Sequence, residues 1–313
     1  MSEYPLVSVC LITYNHEKFI RKAIDSILQQ KTGYSYELII ADDFSTDSSR
    51  EIILDYEKRH PSVIKLILQK KNIGAGNNFI ELIRSARGKY IAYFEGDDYW
   101  IGSEKLQKQV EFLENHPEFV LVFHNVNVVT YDDKFIKKIY SDGRKNIIEF
   151  IDLVKGDYTK TCSSVFRNDI KKLSPIFEKK IPPDDTTLFL LLLEGSKAYY
   201  FEDTFAAYRI HEGGIWSSKK KDYQLLYSSK YLKQIIEYYG HYPEVKYFYQ
   251  QLNTVYMQLA TEYFLQRKYS DWLKFTGKCV MSLKWVNRKS YINSAKICLR
   301  SLFRKKGDLE PLK

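Results

Sequence analysis

Apolar residues fall along this chain in short blocks whose spacing alternates between two periods. Residues 6–12, LVSVCLI, form an apolar run rich in β-branched side chains, which predicts a strand buried on both faces. Ile20, Ala23, Ile24, Ile27 and Leu28 then recur at helical spacing. Residues 37–41 predict a second strand that ends in Asp42-Asp43. Ser45 to Asp47 supply N-cap candidates for a helix carrying Ile52, Ile53 and Tyr56. Residues 63–68 predict a third strand. Phe79, Ile80, Ile83 and Ala86 predict a third helix, closed by Gly88, and residues 89–94 a fourth strand that runs into Glu95-Gly96-Asp97-Asp98.

Four strands alternating with three helices predict an α/β fold, a doubly wound and mostly parallel sheet flanked by helices. Both acidic clusters then sit at the carboxyl ends of strands, the edge where open α/β sheets bind ligands. Further on, residues 119–129 and 135–140 predict strands joined by a turn at Asp132-Asp133, and residues 161–166 predict another. Pro182-Pro183-Asp184-Asp185 opens an apolar helix over 186–194, with short strands at 199–201 and 205–210. Beyond about residue 220 Tyr- and Lys-rich helices take over, with Leu252, Val255, Leu259 and Tyr263 on one face. The polar stretch SSKKKD marks a boundary, dividing a domain over 1–217 from a C-terminal helical appendage over 218–313.

Composition narrows the class. With 44% apolar and 28% charged residues in 313, the chain suits a folded globular protein. Cys10, Cys162, Cys279 and Cys298 lie far apart, as reduced thiols of a cytoplasmic protein do, and form neither a disulfide framework nor a zinc site. The N-terminus lacks the features of a signal peptide. The longest purely apolar run, residues 188–193, is far short of the roughly 20 residues a membrane helix needs.

Charge divides the chain. Residues 1–216 carry 29 basic and 32 acidic residues, whereas 217–313 carry 19 and 7, a balance of +12. The first part does not look like a nucleic-acid binder, and no nucleic-acid partner is expected. In the tail Trp285, Tyr291, Leu302 and Phe303 are interleaved with basic residues from Arg288 to Lys306. That mixture predicts peripheral contact with an anionic membrane surface at its cytoplasmic face. The plainer alternative is a solvated appendage packed on the catalytic domain.

The candidate chemistry gathers at the strand ends. Neither a G-x-G-x-x-G nor a G-x-x-x-x-G-K-[ST] loop is present. After the first strand stands Thr13-Tyr14-Asn15-His16-Glu17, where Tyr14 offers a face for a base and Thr13 and Asn15 offer hydrogen bonds. Asp43 can accept from a pyrimidine N–H or a ribose hydroxyl, or merely favour the start of the next helix. Asp97 and Asp98 repel each other. Beside a diphosphate such carboxylates make sense when a divalent ion, Mg²⁺ or Mn²⁺, bridges them. Gly-Asp-Asp is also ordinary turn chemistry.

The ordered set VSVCLITYN, ADDFSTD, NIG, GKYIAYFEGDDYW, PDD and YRIHEGGIWS resembles the family 2 glycosyltransferases, enzymes of the GT-A type fold, over roughly residues 5–217. The resemblance implies metal-dependent, inverting transfer of a sugar from a nucleoside diphosphate sugar, taken here as UDP-linked, to an acceptor hydroxyl. The acceptor expected is a cell-surface glycan precursor, including a lipid-linked one. By the same resemblance Thr13, Tyr14, Glu17 and Asp43 surround the donor base and ribose. Asp98 is the direct metal ligand, Asp97 lies nearer the ribose or diphosphate, and His211 reaches the metal or diphosphate. Asp185 takes the position of the general base, with Asp184 its competitor. Glu95 departs from the Asp that often leads the metal motif, as Ile12 and Thr186 depart at their positions. A rival on the same fold is a catalytically silent nucleotide-sugar-binding or interaction protein.

Overall fold

In the computed structural model residues 4–140, 144–156, 159–214, 219–282 and 292 are described. The first part alternates as the apolar pattern predicts: β1 (Val7–Thr13), α1 (Ile20–Leu28), β2 (Tyr36–Asp42), α2 (Ser49–Arg59), β3 (Ile64–Leu68), α3 (Ala75–Ser85) and β4 (Tyr90–Glu95). β1 pairs in parallel with β2 and β4, and β2 with β3. β1 is central because its seven residues are almost all buried, as a strand covered on both faces requires. Side chains alternate between the faces. Val9, Leu11, Ala92 and Phe94 join Ile20 and Ile24 of α1 and Ile53 of α2 in one core cluster. On the opposite face Phe79 of α3 meets Tyr93 edge-on, their centroids 5.0 Å apart. Each buried aliphatic or aromatic side chain of this kind contributes about 1.5–3 kcal/mol.

β5 (Tyr99–Trp100), α4 (Lys105–Asn115), β6 (Phe119–Val129), β7 (Phe135–Lys138), β8 (Ile147–Glu149), α5 (Phe150–Val154), β9 (Val165–Arg167), α6 (Ile170–Phe177), α7 (Asp185–Leu193) and β10 (Lys197–Arg209) follow. The sheet runs β3-β2-β1-β4-β9-β6-β10-β5, with β7 on β6 and β8 on β10. Its first part is parallel. β9 then enters antiparallel to both β4 and β6, while β6 and β10 pair in parallel.

Three local expectations change. The strands expected at 199–201 and 205–210 are one strand, β10, with register shifts between Phe201 and Ala206. Exposed Glu202 and Asp203 interrupt the apolar pattern there without ending the strand. The strand expected over 161–166 begins instead as a 3-10 turn, Thr161–Ser163, before β9. Gly88 does not cap α3, whose C-cap is the extended Ala86. It is glycine because a Cβ would lie 2.5 Å from Ser8 N and 2.7 Å from Val7 C, so the chain could not approach β1 so closely.

Two compact units make up the chain, residues 1–211 and 212–313. The second contains α8 (Lys221–Tyr238), α9 (Val245–Leu265) and α10 (Tyr269–Ser282), with α9 packed on both neighbours. Leu252, Tyr256, Leu259 and Tyr263 lie on the buried stripe of α9, and the expected Val255 beside them is only half-buried. Asn253 is buried among them, its Nδ2 donating to Cys279 O (3.0 Å) and Ser282 Oγ (2.7 Å). Cys10, Cys162 and Cys279 are buried. Cys298, Trp285, Tyr291, Leu302, Phe303 and the basic residues from Arg288 to Lys306 lie outside the described residues. No described helix is long and apolar enough to cross a membrane.

Candidate active site

Parallel register brings the strand ends level. Thr13 pairs with Asp42 and Ile12 with Glu95, while Asp43 N donates to Thr13 O (3.0 Å) and Gly96 N to Ile12 O (2.9 Å). The acidic turn 95–98 links β4 to β5. Because β5 pairs with Ala206 and Ala207 of β10, the end of β10 is carried directly onto that turn.

The two aspartates face different partners there. Asp98 is 2% exposed, and its Oδ1 accepts from Arg209 N at 2.9 Å. Burial, then the charges of Asp97 and Glu95, push its carboxyl well above the usual range. The buried guanidinium of Arg209 donates to Asp97 O (2.9 Å) and Tyr131 O (2.8 Å) and pairs with Asp133 at 2.6 Å. The Asp97 side chain instead meets two imidazoles: His211 Nε2 lies 3.0 Å from its Oδ2 and His16 Nε2 3.9 Å. Burial raises Asp97, but the hydrogen bond to His211 and the nearness of His16 outweigh it and leave the carboxyl below its ordinary value.

Glu95 accepts from Thr161 Oγ1. Its carboxyl is pushed up to about 8, by burial first and then by the charges of Asp97 and Asp185, against a pull from Lys160. That repulsion places Asp185, at the start of α7, in the same electrostatic neighbourhood as the acidic turn. The segment before it is fixed by Pro183, which packs so closely on Gly76 of α3 that a Cβ there would lie 2.7 Å from its Cγ. Asp184 does the capping: its Oδ1 accepts from Thr187 N at 2.8 Å. Asp185 Oδ1 accepts from Thr186 N, also at 2.8 Å.

Asp43 spans the NIG segment, accepting from Ile73 N (2.7 Å) and Gly74 N (2.9 Å); Gly74 is in the left-handed region at φ 84. Burial raises its carboxyl against those two hydrogen bonds. Thr13 is 2% exposed and its Oγ1 has no hydrogen-bond partner. Tyr14 is exposed on the following loop. Glu17 Oε2 accepts from Ser48 N (3.1 Å) at the start of α2. The helix expected from the Ser45–Asp47 caps begins at Ser49, whose N donates to Asp47 Oδ1 (2.9 Å), while Asp47 Oδ2 also accepts from Glu17 N and Ser45 Oγ from Asn15 N.

The structure thus gathers Thr13, Asp43, Asp97, Asp98, Asp185 and His211 along one edge of the sheet. Sequence reasoning missed Arg209, His16, Thr161 and Lys160. Arg209 left a trace, a charged residue inside the apolar alternation AAYRI; Thr161 left none. Among the described residues no group of three or more His, Cys, Asp and Glu side chains forms a metal cage. Asp97 and His211 nevertheless offer a carboxylate and an imidazole side by side. Two protein donors suit a hard divalent ion whose remaining positions are filled by phosphate oxygens and water.

A parallel α/β sheet with carboxylates along its carboxyl edge, continued by antiparallel strands, has the GT-A architecture. S. aureus TarS 1–349, solved in complex with UDP-GlcNAc, shares it with a TM-score of 0.62 at 14% identity, over 95% of this chain and 89% of that one. The chain belongs to glycosyl transferase family 2, whose family model matches residues 8–174. The UDP-Glc:α-D-GlcNAc-diphosphoundecaprenol β-1,3-glucosyltransferase WfaP of Escherichia coli is 32% identical over 235 residues, covering 74% of this chain and 86% of WfaP. An uncharacterized protein of Mycobacterium tuberculosis is 36% identical over 225 residues, 69% of this chain. The chain spans only 62% of that relative's length.

Proposed function

We propose that this protein is an inverting glycosyltransferase that moves a sugar from a UDP-linked donor to an acceptor hydroxyl of a lipid-linked glycan precursor. Membership of the family supports transferase chemistry. The names of TarS and WfaP, which mention UDP-linked sugars and, for WfaP, a diphosphoundecaprenol acceptor, support the donor and acceptor classes. The observation that carries the reading is the convergence of Asp43, Asp97, His211 and Asp185 on one sheet edge, with the charge of Asp185 felt by Glu95.

In this reading Thr13 and Asp43 hold the base or ribose, and Tyr14 covers the base. Asp185 takes the proton of the acceptor hydroxyl as its oxygen attacks the anomeric carbon. The nucleoside diphosphate leaves from the opposite face. Asp98, whose buried Oδ2 has no hydrogen-bond partner, and His211 hold the divalent ion, Mn²⁺ or Mg²⁺, with Asp97 beside them. Asp98 Oδ1 accepts from the backbone of Arg209, and His211 turns to Asp97. When bound, the ion supplies positive charge against the departing diphosphate. Such work on a lipid-linked acceptor places the enzyme at the cytoplasmic face of a membrane.

The test is a thermal-shift and transfer assay with nucleoside diphosphates and their sugars, with and without Mn²⁺. Stabilisation by UDP that needs the ion, and release of UDP dependent on a polyprenyl-linked acceptor, is the expected result. Absence of any nucleotide-dependent shift overturns the reading. Binding without transfer to any acceptor would favour the silent binding protein.

A further inference from the structure

The described helices of the second unit carry an apolar surface that their own packing does not use. α10 buries Phe275 and Cys279. Helical geometry then places residues 273, 274, 277, 280 and 281 on the outer side, and all five are exposed. They are Leu273, Lys274, Gly277, Val280 and Met281. A solvated helix face should be polar; here Leu273 is 62% and Met281 78% exposed.

The turn from α9 into α10 extends this patch with exposed Phe264, Leu265 and Tyr269. The ring of Phe264 leans on Tyr269 and Trp272, with centroids 6.2 and 5.7 Å away. Arg267, in the left-handed region at φ 60, and Lys268 stand exposed at the same turn. From Glu262 to Ser282 four basic residues face two acidic ones, Glu262 and Asp271. Lys278 is pushed down by burial and then by the positive charges of Lys233 and Lys274.

We propose that this face docks the protein on an anionic lipid surface. Phe264, Leu265, Tyr269, Leu273, Val280 and Met281 enter the interfacial layer, and Arg267, Lys268 and Lys274 meet the lipid phosphates. Charge selects this occupant over a second copy of the chain. A two-fold contact would bring the same positive patch onto itself, whereas an anionic bilayer attracts it. No described helix spans a membrane, so the attachment is interfacial. The assignment rests on the lipid-linked-acceptor reading for its purpose, since docking holds the enzyme in the plane where such an acceptor is anchored. Its test does not.

The full chain, without donor or acceptor, is sedimented with vesicles of phosphatidylglycerol and phosphatidylcholine, or phosphatidylcholine alone, at low and high salt. Binding is expected only with phosphatidylglycerol, and weakens as salt rises. Arg267→Glu/Lys268→Glu/Lys274→Glu lowers the partition coefficient by about a hundred-fold or more. Leu273→Ser/Val280→Ser/Met281→Ser lowers it by about tenfold. Unchanged circular dichroism and melting show that both variants fold. No binding to phosphatidylglycerol, or equal binding by wild type and both variants, overturns the proposal. So does a change in oligomeric mass, rather than in vesicle binding, when the patch is altered. A chain that binds vesicles but transfers no sugar refutes the enzymatic reading and leaves the docking face standing; transfer to a detergent-solubilised acceptor without vesicle binding does the reverse.

Discussion

Replacing Lys105 by Met should make the catalytic unit more stable, and the gain should depend on pH. Lys105 opens α4 with no exposure to solvent, and its Nζ has no hydrogen-bond partner. The ring of Trp100 lies 4.2 Å away. Burial pushes the ammonium down from 10.5 to about 7, with Cys162 pulling the other way. Between about 7 and 10.5 the unfolded chain therefore binds the extra proton, and stability rises with pH across that window. Below about 7 both states are protonated and the penalty is complete. At 1.36 kcal/mol for each pH unit between the two values, it amounts to about 5 kcal/mol. Attraction to the Trp100 ring returns about 2 kcal/mol, leaving about 3 kcal/mol.

Lys105→Met keeps the apolar stem and removes the charge. At about pH 6 its melting temperature should exceed that of the wild type by roughly 6–12 °C, taking about 2–4 °C per kcal/mol for a unit of this size. At about pH 10 the gap should nearly close, because the wild-type amine is then mostly neutral in the folded state. The assay is thermal unfolding followed by circular dichroism across that pH range. A variant less stable than wild type at about pH 6, or a gap that stays constant with pH, would refute the reasoning. Either result would mean that the ammonium has a compensating partner inside the fold.

Other consequences are more direct. Asp185→Asn should leave donor affinity unchanged while transfer falls by about two to four orders of magnitude, read in a UDP-release assay. Asp184→Asn should cost at most about 1 kcal/mol through the cap on Thr187 and keep most of the transfer; the reverse ranking moves the base to Asp184. Chelation, or Asp97→Ala, should weaken UDP binding measured by calorimetry, whereas Asp98→Asn keeps an oxygen that accepts from Arg209 N and removes a charge that burial, Asp97 and Glu95 disfavour, so it should raise the melting temperature of the ion-free protein at neutral pH. Gly88→Ala should cost about 1–3 kcal/mol or more in chemical unfolding, since its Cβ would press on the backbone of β1.

Much of the fold was legible from periodicity. The parallel half of the sheet was visible because strands buried on both faces read as unbroken apolar runs, and LVSVCLI and KYIAYF are such runs. The second half was harder to read. β9 is only three residues long and pairs antiparallel with β4 and β6, a long-range choice that no local pattern encodes. β10 looked like two strands because its bulge places Glu202 and Asp203 at the surface in mid-strand. Gly88 looked like a helix cap because a glycine after an amphipathic run commonly is one. Its actual constraint is a neighbour eighty residues earlier in the chain, Ser8.

Which partners the two adjacent aspartates take within the fold could not follow from the sequence, and the reason lies in β10. Asp97 and Asp98 have the same side chain, the same turn and the same flanking residues. Their environments diverge once β5 pairs with Ala206 and Ala207, because that register delivers the backbone N–H of Arg209 to Asp98. The Arg209 guanidinium, folded back onto Asp97 O, fixes the peptide between the two carboxyls. Two residues further along, His211 reaches Asp97. The same strand end thus gives Asp98 Oδ1 a backbone partner and Asp97 an imidazole. A substitution at Arg209 should therefore disturb both aspartates at once, although a sequence reading would have assigned it to neither. Legibility of a site then depends on where its partners lie. A motif announces the residues contiguous with it, and the strand that sorts their roles lies over a hundred positions downstream.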